Sequence, residues 1–304
     1  MNLAFAREVG IFRYLWRRVL WRIRPPAQLL LPTGAPFPLP RDKFFASDVF
    51  VTQGNVDWNA EYILAAWLKQ RTPRGDFIDV GAHIGYYSVL LGPLVSHVYA
   101  FEPDTRNHSY LKQALGGVPH AEIIAKAVCD HDGHMAFSDQ GESSVSHLDP
   151  SGGNGQMTVE TTTIDSFVTA RNAKPAAIKV DIEGFDILAL QGALQTAQHL
   201  HPVFLVEYHQ DSGASNTWEA LAVFLNDSGY VLYVISCEEV HLFSGNHYTF
   251  RKRTVEETRR LQTKMLFLVP KEEEAWFEKF SHANERWTSE ALRPAAVRTF
   301  LAQS

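Results

Sequence analysis

Between residues 76 and 207 five short apolar segments recur: DFIDV (76–80), HVYAF (97–101), 122–128, AIKVD (177–181) and VFLVE (203–207). They are separated mostly by stretches of helical periodicity, at 85–92, 105–115 and 184–199. A strand, a helix and a further strand return the chain to the same end of a sheet, so this order predicts parallel βαβ units in a doubly wound α/β sheet. A helix at 217–228 and two more strands, YVLYVI (230–235) and MLFLV (265–269), bring the expected sheet to seven strands. Ligands of such a sheet bind beyond the carboxyl ends of its strands. The polar stretch 129–163, with Gly133, Gly141, Gly152, Gly153 and Gly155, reads as a hairpin and a loop at that same edge.

Composition narrows the functional classes. The 304 residues are 45% hydrophobic, enough for a sizeable core, and 34 acids against 28 Lys and Arg leave a net charge of −6. That charge argues against a nucleic-acid partner held by a basic face. Cys129 and Cys237 lack the spacing of a zinc site or a disulfide framework, and the chain has no run of 18 apolar residues, so a reducing cytoplasm is the expected location.

The charge is unevenly distributed. Residues 1–24 hold six arginines (7, 13, 17, 18, 22 and 24) against Glu8, a net +5, which leaves −11 on the rest of the chain. Phe5, Val9, Phe12, Trp16, Val19 and Ile23 recur at spacings of 4 and 3, so a helix here carries an apolar stripe beside arginines. Such an amphipathic arm either packs its stripe on the domain or on a second subunit, with arginines in water, or lies on an anionic membrane. Prolines 25, 26, 32, 36, 38 and 40 predict a linker over 25–48. The catalytic domain is expected over 49–270, with Asp57 as the N-cap of its first helix, and a charged helical tail over 271–304.

The segment FIDVGAHIGYYSVLLG (77–92) runs from strand through a glycine turn into helix, as nucleotide-binding turns do. Glu102 ends the next strand in YAFEPD, beyond the helix that Gly85 opens, where a carboxylate can accept both ribose hydroxyl protons. Asp79 sits before the glycines, where a negative charge opposes a pyrophosphate but suits a cofactor carrying an ammonium and a sulfonium. S-adenosyl-L-methionine is such a cofactor.

FIDVGAHIGYYS, YAFEPD, IKVDIEGFD and the late LFLVP together resemble the FkbM family of S-adenosylmethionine-dependent methyltransferases, over roughly residues 57–270. The chain departs from the family pattern with Asp186 in place of Glu and His83 in place of a small polar residue. The resemblance implies a Rossmann-like class I methyltransferase with an antiparallel final strand, and O-methylation of a hydroxyl on a sugar, glycan or polyketide-like acceptor. It implies cofactor contacts from Asp79, Gly81, Gly85 and Glu102, with His83, Tyr86 and Ser88 on the same turn and Ser143 in the glycine-rich loop.

Two clusters bear on the chemistry. Lys179, Asp181 and Glu183 fall on one side of their strand, where Asp181 could act as a base, or Lys179 and Glu183 could form an ion pair with Glu183 capping the following helix. Glu207 and His209 share a face at the end of the fifth strand, a carboxylate and an imidazole suited to general-base work with His209 taking the proton. Asp181, Glu207 and His209 could instead ligate a divalent metal ion. DHDGH (130–134) has ligand-type residues, but Asp132 and Gly133 are turn formers and no metal site is assigned there. Two rival readings remain: an NAD-dependent oxidoreductase on a Rossmann fold, and a non-catalytic membrane-associated scaffold. Homo-oligomer formation through the arm also stays open.

Overall fold

The structure, a computed structural model, describes residues 9–138, 147–148, 157–182, 184–207, 217–239, 246–284 and 287–288. Its main sheet contains β3 (Asp76–Val80), β4 (Val98–Phe101), β5 (Ala121–Ile124), β10 (Pro175–Val180), β11 (Val203–Glu207), β12 (Tyr230–Glu239), β13 (His247–Arg253), β14 (Thr263–Pro270) and β15 (Trp287–Thr288). Their order is β15-β13-β12-β14-β11-β10-β3-β4-β5. β5, β4, β3, β10 and β11 run parallel, and β14 inserts antiparallel between β11 and β12. All seven expected strands are therefore present, with the last one antiparallel.

Side chains alternate between two apolar layers, as the pleat requires. Phe77, Ala177, Leu205, Met265, Phe267 and Val269 face one core. Ile78, Val80, Ile178, Val180, Phe204, Val206, Leu266 and Leu268 face the other. The first core is covered by α3 (Ala60–Lys69), α4 (Tyr86–Leu91) and α5 (His108–Leu115), and the second by α6 (Ile164–Arg171), α7 (Asp186–Gln191), α8 (Leu194–Leu200) and α9 (Thr217–Ser228).

Several details differ from the sequence reading. The expected strand over 122–128 is two: β5, and β6 (Ala127–Val128), which leaves the main sheet to pair with β9 (Met157–Thr162). β9 also pairs antiparallel with β7 (Gly133–Ser138), which in turn pairs with β8 (His147–Leu148). The single helix expected over 184–199 is α7 and α8, because Asp165 reaches in from α6 and caps the second piece, accepting from Gln195 N at 3.0 Å and Thr196 N at 2.7 Å. β13 and β15 extend the sheet beyond β12; Arg251 and Lys252 are exposed on β13 and disguised it as loop. A short α10 (Val255–Thr258), opened by a capping box between Thr254 and Glu257, connects β13 to β14.

The ends of the chain are more integrated than expected. Residues 25–43 do not form a plain linker: β1 (Gln28–Leu30) and β2 (Pro36–Pro38) make a hairpin, and Leu31 and Phe37 are fully buried in the first core. Its prolines are tolerated because a two-stranded hairpin consists only of edges. α2 (Phe44–Thr52) follows. At the other end, α11 (Glu274–Ala283) inserts Phe277 and Phe280 against Tyr233, Phe250 and Phe267, so the charged tail has an apolar anchor.

The arm forms α1 (Ile11–Ile23), but the face it packs on the domain is not the expected apolar stripe. Tyr14 is buried, Trp21 packs on Phe50 with ring centroids 5.5 Å apart, Arg17 donates to Val51 O at 2.6 Å, and Arg18 pairs with Asp48 at 3.0 Å. Of the expected stripe, Phe12, Trp16, Val19 and Ile23 face solvent, with Leu15 beside them, while Val9 is buried in a cluster with Tyr14 and Val51. Arginines rather than the apolar stripe hold the arm, because α2 offers them a buried carboxylate and an open helix-end carbonyl. Phe5 lies outside the described residues.

Candidate functional site

The site is built where β3, β4, β10 and β11 end. Asp79 pairs in register with Lys179 on one side and Ala100 on the other. Gly81 then has φ +78°, and a Cβ there would lie 1.9 Å from the carbonyl oxygen of Asp181. Only glycine lets the turn after β3 lie against the backbone after β10, where Asp181 N donates to Val80 O at 3.1 Å. Gly85 (φ +89°) opens α4 on the far side of the turn.

A charge cluster lies beneath that turn. Lys179, nearly fully buried, donates to Asp181 Oδ2 at 2.8 Å and to Gly81 O at 3.1 Å, and its Nζ is 3.8 Å from Asp79 Oδ1. Burial pushes the Lys179 ammonium down, but the Asp181 and Asp79 carboxylates outweigh it and hold it well above its usual value. Asp79 is completely buried; its Oδ2 accepts from Ser88 Oγ at 2.6 Å, while Oδ1 accepts no hydrogen bond. Burial raises its carboxyl, against the opposing pull of Lys179. Lys179 is therefore a fixed cation that neutralises two carboxylates, not a base.

Glu102, at the end of β4, accepts from His83 N at 2.8 Å with Oε2 and from Asp104 N at 2.9 Å with Oε1. Each oxygen keeps a second lone pair. Burial raises its carboxyl to about 7, although those backbone donors favour the ionised form. His83 thus meets the site through its backbone; its ring packs edge-on against Phe45 of α2, and burial lowers its imidazole to about 4, so it is neutral at pH 7.

Other expected residues are placed differently. Tyr86 is a supporting residue, with its hydroxyl bound to Gly54 O at 2.5 Å and its ring against Phe37. Ser88 holds Asp79. Asp186 accepts from Ile182 N at 3.0 Å and Gly184 N at 3.2 Å and so shapes the loop after β10, which explains why an acid stands there. Glu207 ends β11 near enough to Lys179 to raise it. Glu183, His209 and Ser143 lie outside the described residues. Asp132 is occupied with Thr162 Oγ1, Thr163 N and Ser166 Oγ, long-range bonds that tie it to the start of α6. Neighbouring Cys129, Asp130 and His131 bring ligand-type atoms within 4.8 Å of one another, but His131 Nδ1 and Asp130 Oδ1 are already hydrogen-bonded at 2.7 Å.

One wall had no signal in the sequence. Asp57 is not the N-cap of α3; Asn59 holds that position, and Asp57 instead accepts from Tyr87 Oη at 2.7 Å and pairs with Lys264 of β14 at 3.0 Å. The Tyr87 ring lies 5.3 Å from Lys179 Nζ, which joins this wall to the charge cluster. Tyr87 and Lys264 are both far from Asp57 along the chain, so only the fold brings them together.

The residues fit S-adenosylmethionine. A buried Asp79 oxygen without a hydrogen bond suits an ammonium, and Glu102 retains lone pairs for a ribose. A parallel sheet with an inserted antiparallel strand and this carboxyl-edge site defines a Rossmann-like methyltransferase. The profile of the methyltransferase FkbM domain matches residues 79–232, just over half of the chain, and the protein belongs to that family. Membership of a methyltransferase family speaks against the oxidoreductase reading.

Similar solved structures include an FkbM methyltransferase from Methylobacillus flagellatus KT, 16% identical, covering 74% of this chain and 55% of that one with a TM-score of 0.41. This chain thus spans about half the length of that protein. Others are the O-methyltransferase from Bacillus cereus in complex with SAH (11% identity, 69% and 79% coverage, TM-score 0.38) and precorrin-6y C5,15-methyltransferase from Geobacter metallireducens GS-15 (10%, 68% and 87%, 0.36). No curated protein matches the chain in sequence. Among the described residues no helix is long and apolar enough to cross a membrane.

Proposed function

We propose that the protein transfers the methyl group of S-adenosyl-L-methionine to a hydroxyl oxygen of a sugar, glycan or polyketide-like acceptor. The observation that carries this reading is the Asp79 carboxylate, buried at the end of β3 with one oxygen unbonded beside a glycine turn. Bound there, the cofactor supplies an electrophilic methyl. Asp79 and the turn receive its amino-acid end, and Glu102 its ribose. Lys179 keeps two carboxylates ionised in a buried setting. Asp181 is committed to that ammonium, so in this reading the acceptor's proton falls to His209, two positions after Glu207 in the sequence. A divalent ion is not needed in this scheme. Among the described residues Cys129 and Cys237 form no disulfide, which suits a cytoplasmic protein.

Calorimetric titration with S-adenosylhomocysteine tests the cofactor. Glu102→Ala should weaken binding at least tenfold. Because ribose hydroxyls donate to the ionised carboxylate and the free carboxyl sits at about 7, wild-type affinity should rise from pH 6 to pH 8 and flatten above it, a dependence that Glu102→Ala removes. No saturable binding by the folded protein, with or without pH dependence, would discard this function. His209→Ala should leave binding intact and lower turnover by about 10²–10⁴ with an acceptor found by screening glycans and hydroxylated products. Full turnover in that variant would move the base elsewhere.

A further inference from the structure

The apolar stripe of α1 is turned to solvent. Phe12 is 73% exposed, Trp16 63%, Ile23 76%, and Leu15 and Val19 46% each. At about 100° per residue these five project within one sector of the helix. The exposed Arg13 falls on one flank of that sector and the exposed Arg22 on the other, with the exposed Arg24 at the C-terminal end. A solvent-facing sector of aromatic and branched side chains bordered on both sides by arginines matches the two layers of a lipid interface, acyl chains below and phosphates beside.

We propose that α1 docks the protein peripherally on an anionic lipid surface, with Phe12, Leu15, Trp16, Val19 and Ile23 in the headgroup–acyl boundary and Arg13, Arg22 and Arg24 against lipid phosphates. Charge complementarity selects this occupant. Residues 1–24 carry +5 and the rest of the chain −11, so an anionic surface attracts the arm, repels the body, and leaves one orientation favoured. A second copy fits less well. Stripe-to-stripe packing would set flanking arginines of two helices beside each other, and one 13-residue helix offers a narrow strip beside the about 800 Å² per partner of a standard interface.

The opposite face of α1 makes this a fixed platform and not a loose tether. Arg17 and Arg18 bind it to α2 through Val51 O and Asp48, and Phe45 of α2 packs on His83 in the glycine turn. Docking therefore sets the orientation of the carboxyl edge of the sheet toward the surface. This inference is independent of the proposed reaction.

Co-sedimentation of the full-length protein with vesicles of phosphatidylcholine alone, and with vesicles of phosphatidylcholine and phosphatidylserine mixed 7:3, tests it. Binding is expected on the phosphatidylserine vesicles, at least tenfold weaker on phosphatidylcholine alone, and falling as salt is raised. Trp16→Ser/Ile23→Ser and, separately, Arg22→Glu should each reduce it at least tenfold. Both alter exposed side chains, so thermal unfolding and S-adenosylhomocysteine titration should be unchanged, which separates failure here from failure of the cofactor assignment. Equal binding of the variants, or no binding to either vesicle, overturns the proposal. So does a stable dimer in sedimentation that Trp16→Ser/Ile23→Ser dissociates, which would assign the stripe to a second copy.

Discussion

Replacing Lys179 with methionine should lower the unfolding free energy by about 3–5 kcal/mol at pH 8, the range for removing one partner of a buried charge pair. For a domain of this size that is a fall in Tm on the order of 10 °C. Methionine fills the volume of the stem but leaves Asp79, fully buried, with Ser88 as its remaining hydrogen-bond donor. The pH dependence separates lost charge from lost packing. Asp79 already has a carboxyl raised by burial, and without the ammonium it rises further. A carboxyl raised in the folded state costs nothing below its unfolded value, where both states are protonated, and costs more as pH rises through the folded value. The deficit should therefore be small near pH 4 and grow toward pH 8, and Lys179→Met/Asp79→Asn should recover part of it. Chemical denaturation at pH 4.5, 6 and 8 would decide. A deficit independent of pH would mean that Lys179 matters for packing alone.

Gly81→Ala should abolish measurable cofactor binding, with affinity for S-adenosylhomocysteine reduced at least about 100-fold, or about 2.7 kcal/mol. Two costs act at one position. The φ of +78° disfavours any residue with a Cβ, and that Cβ would lie 1.9 Å from the Asp181 carbonyl oxygen. Neither obstacle is a flexible side chain, so one of the two loops must move. The first follows directly on the strand end that holds Asp79 and the second carries Asp181, so moving either disturbs the arrangement around Lys179. Gly117→Ala is the control, since its Cβ would meet nothing within 4 Å. Wild-type affinity in Gly81→Ala would mean that the contact between the turns does not shape the cofactor site.

Burial on both faces made the core strands legible: each sits between two apolar layers, so AIKVD and VFLVE read as largely apolar runs closed by a carboxylate, and DFIDV as one that carries Asp79 just before its last residue. Those closing charges marked the site, because a carboxylate at the end of an apolar strand has few structural reasons to be there. β13 stayed hidden for the converse reason, since its exposed charges look like those of a loop. Tyr86 and Ser88 were readable as members of the turn, but their roles behind it depend on Gly54 and Asp79.

The sequence alone settled the parallel α/β sheet, the carboxyl-edge glycine turn and the acids around it, because these follow from local periodicity and from residues a few positions apart. The tertiary structure decided what depends on distant partners: Lys179 as the cation between two carboxylates, Asp57 joined to Lys264 and Tyr87, and the outward turn of the α1 stripe. Periodicity shows that a helix has two faces. Which face meets protein depends on what the neighbouring element offers, and here α2 offered Asp48 and the Val51 carbonyl to arginines, leaving the aromatic face to solvent.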